Sequence, residues 1–109
     1  MENPTTAPWG LRISNSDFEK LQVGFTPQNM DDRWECATDK PDQQGNTTVR
    51  LSRSWSGSVE FILAVKGGGD NGAEIAQITW NKDALTPTDA EAKEIASNIC
   101  RNHMYCEWE

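Results

Sequence analysis

Two short stretches of this 109-residue chain gather side chains able to bind or react: Met30-Asp31-Asp32-Arg33-Trp34 and Arg53-Ser54-Trp55-Ser56-Gly57. Each sets a tryptophan near an arginine, and the first adds two adjacent carboxylates. Paired carboxylates serve general acid–base work or hold a cation. An arginine beside an indole instead clamps a phosphate or carboxylate while the ring stacks. Strand alternation bears on the choice. Read as strands, residues 30–37 and 47–55 send successive side chains to opposite faces. The apolar phase then turns Asp32, Trp34, Arg53 and Trp55 inward. Asp31, Arg33 and Glu35 turn outward and, with Arg50, form a solvated, salt-bridged sheet face, whose residues a partner docking on that open face would touch first. Asp31 and Asp32 diverge, so they do not address one substrate atom.

A buried charge without a partner is strongly destabilising. Asp32 and Arg53 are therefore expected to pair with each other under the tryptophan rings, or with a ligand. The first arrangement is an internal polar lock. The second is a pocket in which Arg53 grips an anion and a tryptophan stacks on a base or ring. A third use, as an anchor for a partner protein, fits the enrichment of Trp and Arg at interface hot spots.

Two other patterns carry less chemistry. Cys100-x-x-His103-x-x-Cys106 places three metal-ligand types near a helix end, with Cys36 as a conceivable fourth. Structural zinc sites show two tight ligand pairs instead, so the plainer reading is a partly buried histidine and free thiols, with no metal and no other cofactor. No nucleophile elbow supports a Cys–His catalytic pair. The glycine-rich run at 67–72 lacks the strand–loop–helix context and the Lys-Ser of a phosphate loop, so it reads as a hairpin tip.

The elements that must position these residues follow from periodicity. Residues 1–8, with two prolines, read as a flexible arm, and 9–109 as one domain. Trp9, Leu11 and Ile13 alternate as in a short edge strand. Ser14 or Ser16 caps a helix, Glu19 completing a capping box with Ser16; Phe18, Leu21 and Phe25 recur at helical spacing, and Gly24 stops it. Strands are expected at 30–37, 47–55, 59–65 and 73–80, the third apolar on both faces and hence central. In the last of them Ala76, Ile78 and Trp80 share a phase. Thr86-Pro87-Thr88-Asp89 starts a helix with Ala92, Ile95, Ala96, Ile99 and His103 on one stripe. The expected architecture is two-layer α+β: a four-stranded antiparallel meander with an N-terminal and a C-terminal helix on one face.

Composition narrows the function classes. One domain with five tryptophans and three phenylalanines holds a core without needing disulfides. A net charge of −7 and a pI near 4.6 argue against nucleic acid and are compatible with a soluble protein or one that docks on a basic partner. No apolar run approaches the roughly 20 residues of a membrane span. Residues 1–8 lack the character of a secretory signal, and three cysteines form an odd set, so a reducing, cytoplasmic setting is expected.

The two tryptophan motifs and their spacing resemble a small, largely uncharacterised bacterial and phage domain carrying Met-Asp-Asp-Lys/Arg-Trp and Arg-Ser-Trp-Thr-Gly. The likeness covers residues 17–66. This chain has Glu35 where that domain has an aromatic, and Ser52 where it often has a histidine, which weakens any catalytic carry-over. The resemblance implies that Asp32, Trp34, Arg53 and Trp55 form one cluster, with ADP-ribose-handling proteins among the domain's neighbours. The leading expectation is a non-enzymatic module acting through a partner protein, as an immunity, inhibitor or accessory factor. The alternative is a binder of, or enzyme on, a nucleotide or ADP-ribose-type anion, with Arg53 as clamp and Trp34 or Trp55 as platform.

Overall fold

Alternation is realised in a five-stranded antiparallel sheet in the computed structural model, which describes residues 4–26, 33–39, 45–54, 57, 59–67, 72–81 and 88–107. The chain runs β1 (Pro4–Ile13), α1 (Asn15–Val23), β2 (Trp34–Thr38), β3 (Asn46–Arg53), β4 (Val59–Gly67), β5 (Ala73–Asn81) and α2 (Asp89–His103). Across the sheet the order is β1-β5-β4-β3-β2, so β2 to β5 form a meander and β1 adds to its far side. The doubly apolar β4 is the central strand, as its sequence requires.

The α+β class stands, but the sheet has five strands: the expected four-stranded meander and the short edge strand expected at residues 9–13, which joins the same sheet and is longer than expected. The difference lies in residues 4–8, assigned by sequence to a flexible arm. They pair with β5, from Pro4 opposite Asn81 to Pro8 opposite Gln77, and the Thr6 and Thr79 hydroxyls bond at 2.8 Å. Proline marked this segment as loose, yet a strand that loses only donors on its free side accommodates proline well. Here β1 is an edge, so Pro4 and Pro8 also blunt it against further pairing.

One face of the sheet holds the core. Cys36, Leu51, Phe61 and Trp80 lie abreast, as do Val49, Leu63 and Ile78, and they pack with Leu21 of α1 and Ala92, Ala96, Ile99 and Cys100 of α2. The expected phase of β5 fails at one residue. Ile75 is fully buried and registers with Val65, while Gln77 registers with Ala64, leaving Ala76 as an extra residue. A bulge of this kind breaks the period of two and increases local twist. Opposite it, β1 is irregular at Trp9-Gly10, where Gly10 takes φ 65°.

Both helix starts use side-chain caps, one displaced from its expected place. The Asp17 N–H donates to the Ser14 hydroxyl at 3.0 Å, so Ser14, not Ser16, caps α1. For α2 the cap is Thr88, which accepts from Glu91 N–H at 3.3 Å, two residues beyond the expected Thr86. The next carboxylates, Asp89 and Glu91, favour a first turn here through the helix dipole. Residues 82–87 lie outside the described set.

Gly24 ends α1 and seats it on the sheet edge. Its φ is 73°, and Phe25 then exchanges two backbone hydrogen bonds with Cys36, at 2.8 and 2.9 Å. The Thr38 hydroxyl also donates to the Leu21 carbonyl. A Cβ at position 24 would fall inside the Cys36 carbonyl oxygen, whereas one at Gly10 would meet nothing, although both have positive φ. Gly24→Ala should therefore cost on the order of 3 kcal/mol, strain plus overlap, and Gly10→Ala about 1 kcal/mol from strain alone. Thermal unfolding by circular dichroism compares them; equal midpoints would remove the close approach as the cause.

Candidate functional site

Register settles part of the tryptophan–arginine cluster. Trp34 of β2 is directly opposite Arg53 of β3, and both are half-buried on the core-facing side. The Arg53 guanidinium carbon lies 4.6 Å from the centroid of the Trp34 ring, a cation–π distance. Trp34 in turn meets Phe61 at 6.0 Å between centroids, tilted by 45°. Arg33 is exposed, as its phase predicts, and its carbonyl accepts the Ser54 N–H at 2.9 Å. The Gly57 N–H closes the turn on the Arg53 carbonyl at 2.8 Å, with φ 73°. Asp31, Asp32 and Trp55 lie outside the described residues.

The expected outer charge cluster takes another form. Arg50 makes a bidentate pair with Asp39, at 2.6 and 2.8 Å, and this holds the Asp39 carboxyl below its ordinary range. Register is the reason. Glu35 faces Ser52 across the ladder and Ala37 faces Arg50, which leaves Arg50 to reach the carboxylate just past the end of β2.

The cysteine–histidine pattern separates in space. α2 ends at His103, whose ring packs on Phe25 at 4.9 Å, while Cys100 and Cys106 are buried with Cys36 in the core. Among the described residues no group of three His, Cys, Asp or Glu is placed to hold a metal ion. Burial is the main cause pushing the Cys36 and Cys106 thiols up to about 12, and it raises Cys100 as well. Such thiols stay protonated and unreactive near neutrality. Native protein should thus resist a thiol-specific dye at pH 8, while three thiols react per chain in denaturant. The raised values also mean that the unfolded chain releases these protons first. Their contribution to stability is whole below about pH 9 and lost as pH rises towards 12, measurable as a falling denaturation midpoint. Stoichiometric labelling of the native protein would contradict the burial.

Sequence reasoning missed a cleft between α1 and the chain beyond α2. The N–H groups of Met104 and Cys106 both donate to the Cys100 carbonyl, at 3.0 and 3.2 Å. Between them Tyr105 adopts φ 60°, the one positive-φ residue other than glycine among those described. Glycine or asparagine is usual at such a helix exit. Two hydrogen bonds tie the tail to α1: Glu107 N–H donates to the buried Asp17 carboxylate at 2.9 Å, and Lys20 Nζ to the Tyr105 carbonyl at 2.9 Å. The result is an open cleft of about 440 Å³ lined by Ser16, Glu19, Lys20, Val23, Gly24, Phe25, His103, Met104 and Tyr105. Val23 is 86% exposed and Tyr105 74% exposed, and both stand at this cleft. One signal for it was present in sequence: Val23 falls off the Phe18–Leu21–Phe25 stripe, an apolar residue on the polar side of its helix. A second, shallower hollow of about 300 Å³ brings Trp9 of β1 near Lys93, Ser97 and Arg101 of α2. There Lys93 is paired with Asp89 at 3.2 Å and Arg101 with Asn98 at 2.8 Å.

No helix among the described residues is long and apolar enough to cross a membrane. No family model, curated protein or solved structure matches the chain.

Proposed function

We propose that this chain is a non-enzymatic binding module that acts through a partner protein, in an immunity, inhibitory or accessory role, and docks by the cleft between α1 and the tail. One observation carries the reading. The backbone holds Tyr105 in a left-handed conformation with its side chain exposed, at a cleft that the exposed Val23 also lines together with Phe25 and Met104. That conformation costs a side-chain-bearing residue about 1–2 kcal/mol, and two large apolar side chains at one cleft are a feature of recognition surfaces. Tyrosine is among the residues that dominate binding hot spots. The buried thiols and the internally bonded Asp17 serve the fold rather than turnover. A small chain of net charge −7 suits a factor that docks on a basic partner.

A photo-crosslinking residue at position 23 tests this in cells of the native host, against one at Thr79 on the face away from the helices. Position 23 should capture one protein that position 79 does not. Tyr105→Gly should weaken that capture by about tenfold while holding or raising the unfolding midpoint, because glycine removes the backbone strain and keeps the carbonyl that Lys20 binds. Equal capture from both positions, or capture indifferent to Tyr105→Gly, would count against the cleft.

The stacked Arg53–Trp34 pair favours a second reading, as a site for a nucleotide or ADP-ribose-type anion. With its guanidinium held against the indole, Arg53 is preset to grip an oxyanion, and Trp34 serves as its support rather than as a platform for the base. Titration with ADP-ribose and a nucleotide panel should then change tryptophan fluorescence, and Arg53→Ala should abolish the change. A response that survives Arg53→Ala would sink this alternative.

A further inference from the structure

The groups around the Val23–Tyr105 cleft define what kind of segment fills it, given the partner-binding reading on which this inference rests. Its walls are apolar where Val23, Phe25, Met104 and Tyr105 line it. Its charges are unbalanced. Lys20 donates to the Tyr105 carbonyl and stands 3.9 Å from both the Asp17 and Glu107 carboxylates, so its charge is shared within the protein. Glu19 is exposed on the α1 side, and Glu107, with a side chain 80% exposed, marks the tail side. Two carboxylates thus flank one engaged lysine and Glu19 adds a third to the cleft, where His103 is packed on Phe25, on a chain of net charge −7. That balance disfavours a second copy of the same acidic surface, an anionic lipid surface or a nucleic acid.

We infer that the occupant is a segment of a partner protein in which one large apolar side chain is flanked by lysine or arginine. The apolar anchor enters between Phe25 and Met104, whose thioether adapts to varied shapes. The flanking cations meet Glu19 and Glu107, and the exposed Tyr105 ring offers a cation–π face to one of them. At about 440 Å³ the cleft lies toward the small end of binding pockets, roughly 300–1,000 Å³, which suits one anchoring side chain and the backbone beside it.

Fluorescence anisotropy with the full chain tests the inference, using labelled peptides that carry a central Leu, Met or Trp flanked by lysine and arginine. Two controls exchange the flanks for glutamate or the anchor for serine. The basic, apolar-centred peptides should bind. Each control should bind about tenfold more weakly. The double variant Glu19→Lys with Glu107→Lys, both at exposed positions, should weaken basic peptides about fivefold, as should added salt. Tyr105→Gly should weaken them about tenfold. Glutamate-flanked or serine-centred peptides that bind equally well would overturn the inference. So would self-association in sedimentation that Tyr105→Gly abolishes, since the occupant would then be a second copy. If no basic peptide binds while crosslinking from position 23 still captures a host protein, the assigned chemistry falls and the partner reading stands. Failure of both would remove the reading itself.

Discussion

The carboxylate of Asp17 joins two parts of the chain that are ninety residues apart. It sits in the first turn of α1, 3% exposed, and accepts the Glu107 N–H at 2.9 Å. A buried acceptor of this kind is satisfied only if its donor arrives, and a polar group left unsatisfied there costs about 1–3 kcal/mol. The tail is therefore held against α1, and Lys20 makes the second tie through the Tyr105 carbonyl. Beside those ties Tyr105 turns at φ 60°, with its side chain in solvent. The cleft follows from these polar contacts together with the burial of Met104 and Cys106 in the core.

At the other end of the same helix a backbone constraint has an equal part. Gly24 permits the approach to the Cys36 carbonyl, after which Phe25 extends the hydrogen bonding of β2 outward by one residue. Phe25 is then set to pack on the ring of His103. The edge of the sheet, the end of α1 and the last turn of α2 are thus brought together at one corner. A substitution at Gly24 would propagate to the cleft even though glycine contributes no side chain to it.

The two candidate surfaces rely on different physics. Around Trp34, Arg53 and Phe61 the determinant is cross-strand register, which stacks a cation on a ring half-buried at the end of the sheet. Around Val23 and Tyr105 it is the path of the chain after α2. Burial removes the three thiols from both, since Cys36, Cys100 and Cys106 belong to the core that the helices and sheet share.

Much of the architecture was legible in the residues alone. Apolar alternation placed Trp34 and Arg53 on one face, the doubly apolar run of β4 at the centre, and the Ala92–Ile95–Ala96–Ile99 stripe of α2 against the core, because burial selects the period of each element. The same local rules supplied only the Trp9–Ile13 half of β1. The prolines of residues 4–8 read as a loose arm, and only the partner edge of β5, nearly seventy residues later, makes them part of the strand. The bulge at Ala76 was likewise hidden, since a two-to-one mismatch exists only between paired strands. The choice of Asp39 as the partner of Arg50 depended on register in the same way. For the cleft, composition and spacing determined an acidic chain with an off-stripe valine and a tyrosine beyond a helix. Tertiary structure decided that these two line one cleft, because the hydrogen bonds from Glu107 to Asp17 and from Lys20 to Tyr105 join residues that no local pattern relates.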